Sequence, residues 1–169
     1  MATDWSDWIG REARAAERLD ESLAARWLAT LDLTAPEGAV LPQGIHFALC
    51  TPQAPTAMLG EDGHPARSDD PASLYPPIDL PRRMWAGSEI EFLRPLSLGD
   101  RIDKLSRVTS IEEKEGRSGR LAFLRNRVRL LSEGGAIPEG THGLSHGVQE
   151  PGVLDLFSKD WNNSELART

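Results

Sequence analysis

Two alternating runs joined by a short turn constrain this chain more than any other feature. Ile102 to Ile111 and Arg120 to Leu131 flank Lys114-Glu115-Gly116-Arg117-Ser118-Gly119, and strand-like runs on either side of a glycine-bearing turn read as a hairpin. In the second run Ala122, Leu124, Val128 and Leu130 alternate with Leu121, Phe123, Arg125, Arg127 and Arg129. One face is therefore apolar, and three arginines share the other. A sheet with one apolar face must bury it against another layer. At 169 residues the chain has the length of a single domain with a core of its own.

One helix is expected to supply part of that layer. Asp20 can cap a helix over about Glu21 to Leu31, in which Leu23, Trp27, Leu28 and Leu31 fall on one face among Ala24, Ala25 and Ala29. Pro36, Gly38 and Pro42 end it, and Ile45-His46-Phe47-Ala48-Leu49-Cys50 reads as a short buried strand. Thr51 to Pro81 is dense in Pro and Gly and reads as a long ordered loop with short helical turns; loops of that length inside a domain are usually functional. Ser88 to Arg94 sets Ile90 and Phe92 against Glu89 and Glu91, the period of a half-buried strand, and Pro95 to Asp100 is a turn. From 132 to 169 no period is sustained, apart from Val153, Leu154, Leu156 and Phe157, and the tail is expected to be irregular.

Charge and composition exclude several classes. The net charge of −7 argues against a nucleic-acid partner. It is unevenly spread: residues 82 to 129 hold 12 of the 19 bases against seven acids, so that window is +5 and the remainder −12. A basic middle suits a local polyanion, such as the phosphates of coenzyme A or an acidic carrier protein, or is simply the solvated outer face of strands. No apolar run approaches the roughly 20 residues of a membrane span, and the acidic start Met1-Ala2-Thr3-Asp4-Trp5-Ser6-Asp7-Trp8 lacks the pattern of an export signal, so a cytoplasmic protein with no membrane partner is expected. One cysteine, Cys50, excludes an internal disulfide and a cysteine-built metal site.

Few residues suggest chemistry. His142 and His146 have metal-ligand spacing, but the surrounding glycines disfavour a helix, and no metal site is expected. Ser118 lacks the context of a nucleophile elbow and reads as a turn residue, while Cys50 reads as a small core residue. No dinucleotide-binding, phosphate-loop or zinc-protease motif occurs, and no cofactor is expected. His46 sits in the apolar run. His64, in Gly60-Glu61-Asp62-Gly63-His64-Pro65, has Asp62 close enough to orient its ring. An Asp62/His64 pair can serve as an acid/base unit for adding or removing water; the same residues can equally form a turn that bonds its own backbone.

Several strings occur together in one order. Gly60-x-Asp62-Gly63-His64-Pro65, Tyr75-Pro76-Pro77, Leu80-Pro81-Arg82-Arg83-Met84-Trp85-Ala86-Gly87, Pro95-Leu96-x-x-Gly99-Asp100 and Lys114-x-Gly116-Arg117-Ser118-Gly119 resemble the N-terminal (FAS1-like dehydratase) half of MaoC-like acyl-CoA hydratases, nearest to the 3-methylfumaryl-CoA (mesaconyl-CoA) hydratase and hydroxyacyl-thioester dehydratase type 2 groups. The resemblance spans about Trp5 to Leu131 and implies an α+β hot-dog fold: an antiparallel sheet wrapped around a central helix, here as a domain over 1–131 followed by a divergent, irregular C-terminal tail over 132–169. It further implies hydration of a 2-enoyl thioester, or dehydration of a 3-hydroxyacyl thioester, with an acyl-CoA or acyl-carrier thioester as ligand.

In such proteins two hot dogs are fused, and the Asp and His that handle water lie in the C-terminal one, within a G-D-x-N-P-x-H-like segment. Gly99-Asp100-Arg101-Ile102-Asp103 begins similarly but has no following Asn-Pro or His, so no catalytic residue carries over, and Asp62 and His64 remain the only acid/base candidates. The resemblance makes Arg82, Arg83, Met84, Trp85 and Gly87 the expected substrate-binding positions, with Arg82 or Arg83 pairing the distal carboxylate of a short branched dicarboxylyl ester or forming an ion pair within the fold. The expectation is half of an enzyme, acting as a homodimer or as a heterodimer with a catalytic hot-dog subunit. The alternatives are a non-catalytic acyl-thioester binding module or a truncated remnant.

Overall fold

The computed structural model of the chain describes residues 4–34, 38–61, 63–68, 70–80, 82–85, 90–116, 119–132 and 148–158, with the backbone alone for 82, 84, 85, 91, 116 and 148–158. In chain order the elements are β1 (Glu12–Arg18), α1 (Glu21–Thr30), β2 (Arg82–Trp85), β3 (Glu91–Phe92), β4 (Arg101–Gly116), β5 (Gly119–Ser132) and β6 (Val148–Ser158). They form one antiparallel sheet in the order β1-β4-β5-β6-β2, with β3 also on β6. The expected hairpin is its centre: β4 and β5 pair from Ile102↔Ser132 to Gly116↔Gly119. Ala122, Leu124, Val128 and Leu130 are buried while Arg125 and Arg127 are exposed, as the alternation requires.

Helix α1 covers one end of the inner face. The Asp20 carboxylate accepts the Leu23 N–H at 2.7 Å, which satisfies one of the donors a helix start leaves open. Ala24 and Leu28 are buried, with Leu23 and Trp27 packed beside them, against Leu41, Ile45, Leu49, Leu96, Ile102, Val128 and Leu130. Ile90 and Phe92 join this cluster, as their spacing predicts. A second cluster of Ile78, Leu80, Val108, Ala122 and Leu124, flanked by Trp5, Leu74, Tyr75 and Ile111, fills the other end. Burying each of the larger side chains contributes roughly 1.5–3 kcal/mol. Between the clusters lies Asn126, 4% exposed, whose Nδ2 donates to the Tyr75 hydroxyl at 2.9 Å. Among the described residues the regular structure of the long loop before β2 is a 3-10 turn, Thr56–Met58, and the bridge Leu59↔Pro65.

Three segments depart from the sequence reading. Ile45–Ala48 is a 3-10 turn and not a strand: Gly44, at φ +102, turns the chain so that its carbonyl accepts the Phe47 N–H at 3.0 Å, and Ile45 and Leu49 both enter the first cluster. Within the tail, 148–158 is a strand and not irregular, and it pairs with Leu121 through Arg129 of β5. Its signal is broken by Pro151-Gly152, which fall where the register shifts between Asn126 and Arg127. A bulge tolerates a proline that cannot donate to the ladder. Strand β1 has no signature, because Glu-Ala-Arg-Ala-Ala-Glu-Arg consists of strong helix formers. Among the described residues no helix is long and apolar enough to cross a membrane.

Candidate functional site

The inner face of β1 is left uncovered by the helix. Its register with β4 sets Ala13, Ala15 and Glu17 opposite Ser106, Lys104 and Ile102, and opposed residues project to the same face. A groove of about 470 Å³ runs between this face and the Cys50–Gln53 segment, with Tyr75 also lining it. Alanines supply the room, because nothing beyond Cβ fills it. Lys104 and Ser106 supply polar groups.

Cys50 is the hub of one wall. It takes φ +52, a left-handed conformation uncommon for a residue other than glycine, and is held there from both sides. Its N–H donates to the Glu17 carboxylate at 2.5 Å, and its carbonyl accepts from Lys104 Nζ at 3.4 Å. Burial pushes the thiol pKa up; the Lys104 charge works against this, and Glu17 and Asp103 reinforce it. Among the described residues the one lining carboxylate is that of Glu17, already engaged with Cys50, and no histidine lines the groove. The arrangement can hold a ligand with an anionic or carbonyl end. Among the described residues it offers no carboxylate–histidine pair.

The positions expected from the sequence fall elsewhere. His64 is exposed on a tight turn in which the Gly60 N–H donates to the His64 carbonyl at 2.8 Å. Arg83, half-buried on β2, donates from Nη2 to the Pro65 carbonyl at 3.1 Å, so the structure ties the arginine strand to the His64 turn. Arg82, Met84 and Trp85 are strand positions opposite Ser158, Leu156 and Asp155. Asp62, Gly87, Ser118, His142 and His146 lie outside the described residues. His46 is buried at 4% exposure, its ring 4.1 Å from that of Phe47 and 5.3 Å from that of Phe92. Among the described residues no group of three His, Cys, Asp or Glu is placed to hold a metal ion.

Sequence reasoning missed Lys104 and Ser106, although a signal was present. The inward series of β4 runs Ile102, Lys104, Ser106, Val108, and two polar residues in succession on a core-facing stripe mark a place where the core gives way to a groove.

The hydroxyacyl-thioester dehydratase type 2 (Htd2) family model matches residues 44–136. A mesaconyl-C(4)-CoA hydratase of Chloroflexus aurantiacus is 38% identical over 128 residues, which are 73% of this chain and 44% of that protein, so the chain spans less than half the relative's length. Among solved structures, a MaoC-like dehydratase from Rhodospirillum rubrum superposes with a TM-score of 0.52 at 14% identity, over 90% of this chain and 94% of that one. A chain of the ChsH1-ChsH2 complex from Mycobacterium tuberculosis superposes with a TM-score of 0.50 at 15% identity, over 90% and 85%. At these identities the structural likeness is one of fold, and it agrees with the hot-dog arrangement of sheet and helix.

Proposed function

The chain belongs to the hydroxyacyl-thioester dehydratase type 2 family, and from that premise we propose that it is the acyl-thioester-binding half of a cytoplasmic enoyl-CoA hydratase or 3-hydroxyacyl-thioester dehydratase. Adding water across a 2-enoyl thioester needs a base to activate the water, an acid to protonate the α-carbon, and donors to hold charge on the thioester oxygen. The reading rests on one observation: a groove large enough for an acyl group whose only carboxylate among the described residues is occupied by Cys50, with no histidine beside it. Binding is therefore assigned to this half, and the acid/base pair to a second hot dog, fused or separate. The chain would pair with that hot dog, or with a second copy of itself, through a sheet edge, since among the described residues β1 has a strand on one side only. The 1–131 segment supplies the family half-fold, and the divergent tail adds β6.

Arg82, Arg83, Met84, Trp85 and Gly87 are the proposed specificity positions, with Arg83 or Arg82 meeting the free carboxylate of a short branched dicarboxylyl ester. The test is a hydration assay on an enoyl-CoA dicarboxylate, following loss of the conjugated thioester absorbance. The purified chain is expected to bind the ester without turning it over, and to contribute activity when a hot-dog protein carrying the Asp/His segment is added. Turnover by the chain alone, abolished in His64→Ala, would overturn the assignment and place the chemistry on the 60–65 turn. Binding without turnover under either condition would identify a stand-alone acyl-thioester binding module.

A further inference from the structure

The inner stripe of β4 carries a cation where an apolar residue would serve the core. Lys104 lies between Ile102, fully buried, and Ser106, 9% exposed, and its register partners are Leu130 of β5, 2% exposed, and Ala15 of β1. Opposed residues project to the same face, so the Lys104 stem leaves the sheet on the side of the core. It lines the groove of about 470 Å³ together with Ala13, Ala15, Cys50 and Tyr75. Among the described residues its ammonium makes no ion pair, and its hydrogen bond to the Cys50 carbonyl, at 3.4 Å, is a long one. An ammonium has three protons, so this bond leaves donors for a ligand. Drawing a charge partly out of water without a close counter-charge is costly, and packing alone gives no reason to place it there.

The charges nearby select what this donor can hold. Glu17 projects to the same face, diagonal to Lys104 at roughly 7–8 Å between Cα atoms, and its carboxylate is fixed by the Cys50 N–H. Asp103 faces the other way and pairs with Arg101 at 3.7 Å. A full anion in the groove would meet Glu17 as well as Lys104, whereas a neutral oxygen acceptor meets the donor with little repulsion. We infer that Lys104 donates to the carbonyl oxygen of an α,β-unsaturated thioester in the groove, with the Ser106 hydroxyl as the next donor along the strand. The inference rests on the acyl groove of the proposed function and deepens it, because it gives this half a part in the chemistry. When water adds, its oxygen bonds to the β-carbon and the π electrons move through the conjugated system to the carbonyl oxygen. The α-carbon then takes a proton as the carbonyl re-forms. Lys104 keeps its own proton throughout and holds the charge that builds on oxygen. Strand β1, the edge proposed for pairing, is one wall of the groove, so a carbonyl held here lies on the side from which the second hot dog would bring its acid and base.

The probe is crotonyl-CoA bound to the full chain, read by its difference absorbance and by calorimetry. A donor on the carbonyl oxygen polarises the conjugated system, so the enoyl absorbance should move to longer wavelength on binding. In Lys104→Met that shift should vanish while affinity changes less than about 10-fold; Lys104→Arg, which keeps a charged donor, should restore part of it, and Ser106→Ala should reduce it. Lys104→Met should melt no lower than the parent, because it exchanges a half-buried charge for an apolar chain of similar length. Ala15→Leu, which fills the groove from an exposed position, should weaken binding about 10-fold or more. With a catalytic hot-dog partner, Lys104→Met should lower kcat by about 100-fold or more and leave KM nearly unchanged, as for loss of one oxyanion donor. The inference is overturned if crotonyl-CoA does not bind, if it binds without a shift, if the shift survives in Lys104→Met, or if free butyrate displaces the ester from the parent and not from Lys104→Met, which would make Lys104 a carboxylate seat. Partner-dependent hydration without a shift leaves the proposed function and removes the role of Lys104; a Lys104-dependent shift without such hydration leaves the contact and removes the function.

Discussion

Replacing Tyr75 with phenylalanine deletes one oxygen, yet it should cost more than one ordinary hydrogen bond. Asn126 is 4% exposed, and its amide has the Tyr75 hydroxyl at 2.9 Å as partner on Nδ2 and none on Oδ1. After Tyr75→Phe the buried amide has no partner at either end. Leaving such a group unsatisfied costs about 1–3 kcal/mol, and at roughly 2–4 °C per kcal/mol for a chain of this size the melting temperature falls by about 2–12 °C. Adding Asn126→Leu removes the stranded amide and puts an apolar group of similar volume between two apolar clusters, so the double variant should recover at least about 1 kcal/mol over Tyr75→Phe alone. Urea unfolding followed by tryptophan fluorescence and circular dichroism gives both differences, provided the slope against denaturant is unchanged. A Tyr75→Phe variant within about 0.5 kcal/mol of the parent, or a double variant no more stable than the single, would refute the reasoning. If it holds, the Tyr75-Pro76-Pro77 motif is explained by architecture: it pins the loop carrying Ile78 and Leu80 onto the sheet.

Asp20→Ala should lose about 0.5–2 kcal/mol in the same assay, with Asp20→Asn retaining most of it, because the cap needs only an acceptor for the Leu23 N–H. Burial raises the Cys50 pKa, so the stability that comes with a neutral thiol is complete below the thiol's ordinary pKa and is lost as pH rises through the higher native value. Alkylation of the native chain should therefore accelerate at higher pH than that of the urea-unfolded chain, and coincident profiles would contradict burial. Under the proposed function, Arg83→Met should lower the preference for dicarboxylyl over monocarboxylyl esters by about 10-fold or more, as expected for loss of a charge-assisted bond; an unchanged ratio removes the carboxylate role. His64→Ala should leave the hydration rate of the partnered enzyme unaltered.

Elements whose own residues repeat with the right period were legible in the sequence. Asp20 followed by Leu23, Trp27 and Leu28 announces α1, and the alternation from Ala122 to Leu130 announces β5 with its inner face correctly assigned. What failed was decided by context. Ile45 to Cys50 is apolar throughout, so period could not separate strand from turn, and the left-handed Gly44 settled it. Glu12–Arg18 is a strand because β4 offers it an edge, against its own helical preference. For the site, the motif residues drew attention to Arg83 and the His64 turn, which the Pro65 contact does join. The groove instead depends on Ala13, Lys104 and Cys50, distant in sequence and adjacent only once β1 pairs with β4 and the 50–53 segment crosses over them.

The sheet order places an unusual dependence on β6. Among the described residues strand β2 pairs into the sheet only through it, and so does β3. A ribosome delivers residues 148–158 long after residues 82–85, so Arg82–Trp85 is made early and waits. Until residues 148–158 emerge, β5 presents a bare edge that invites pairing with other molecules. A polypeptide released before residue 148 would forfeit three strands and not one, and the most distinctive string in the sequence would keep its anchors at Leu80 and Arg83 but lose its pairing partner.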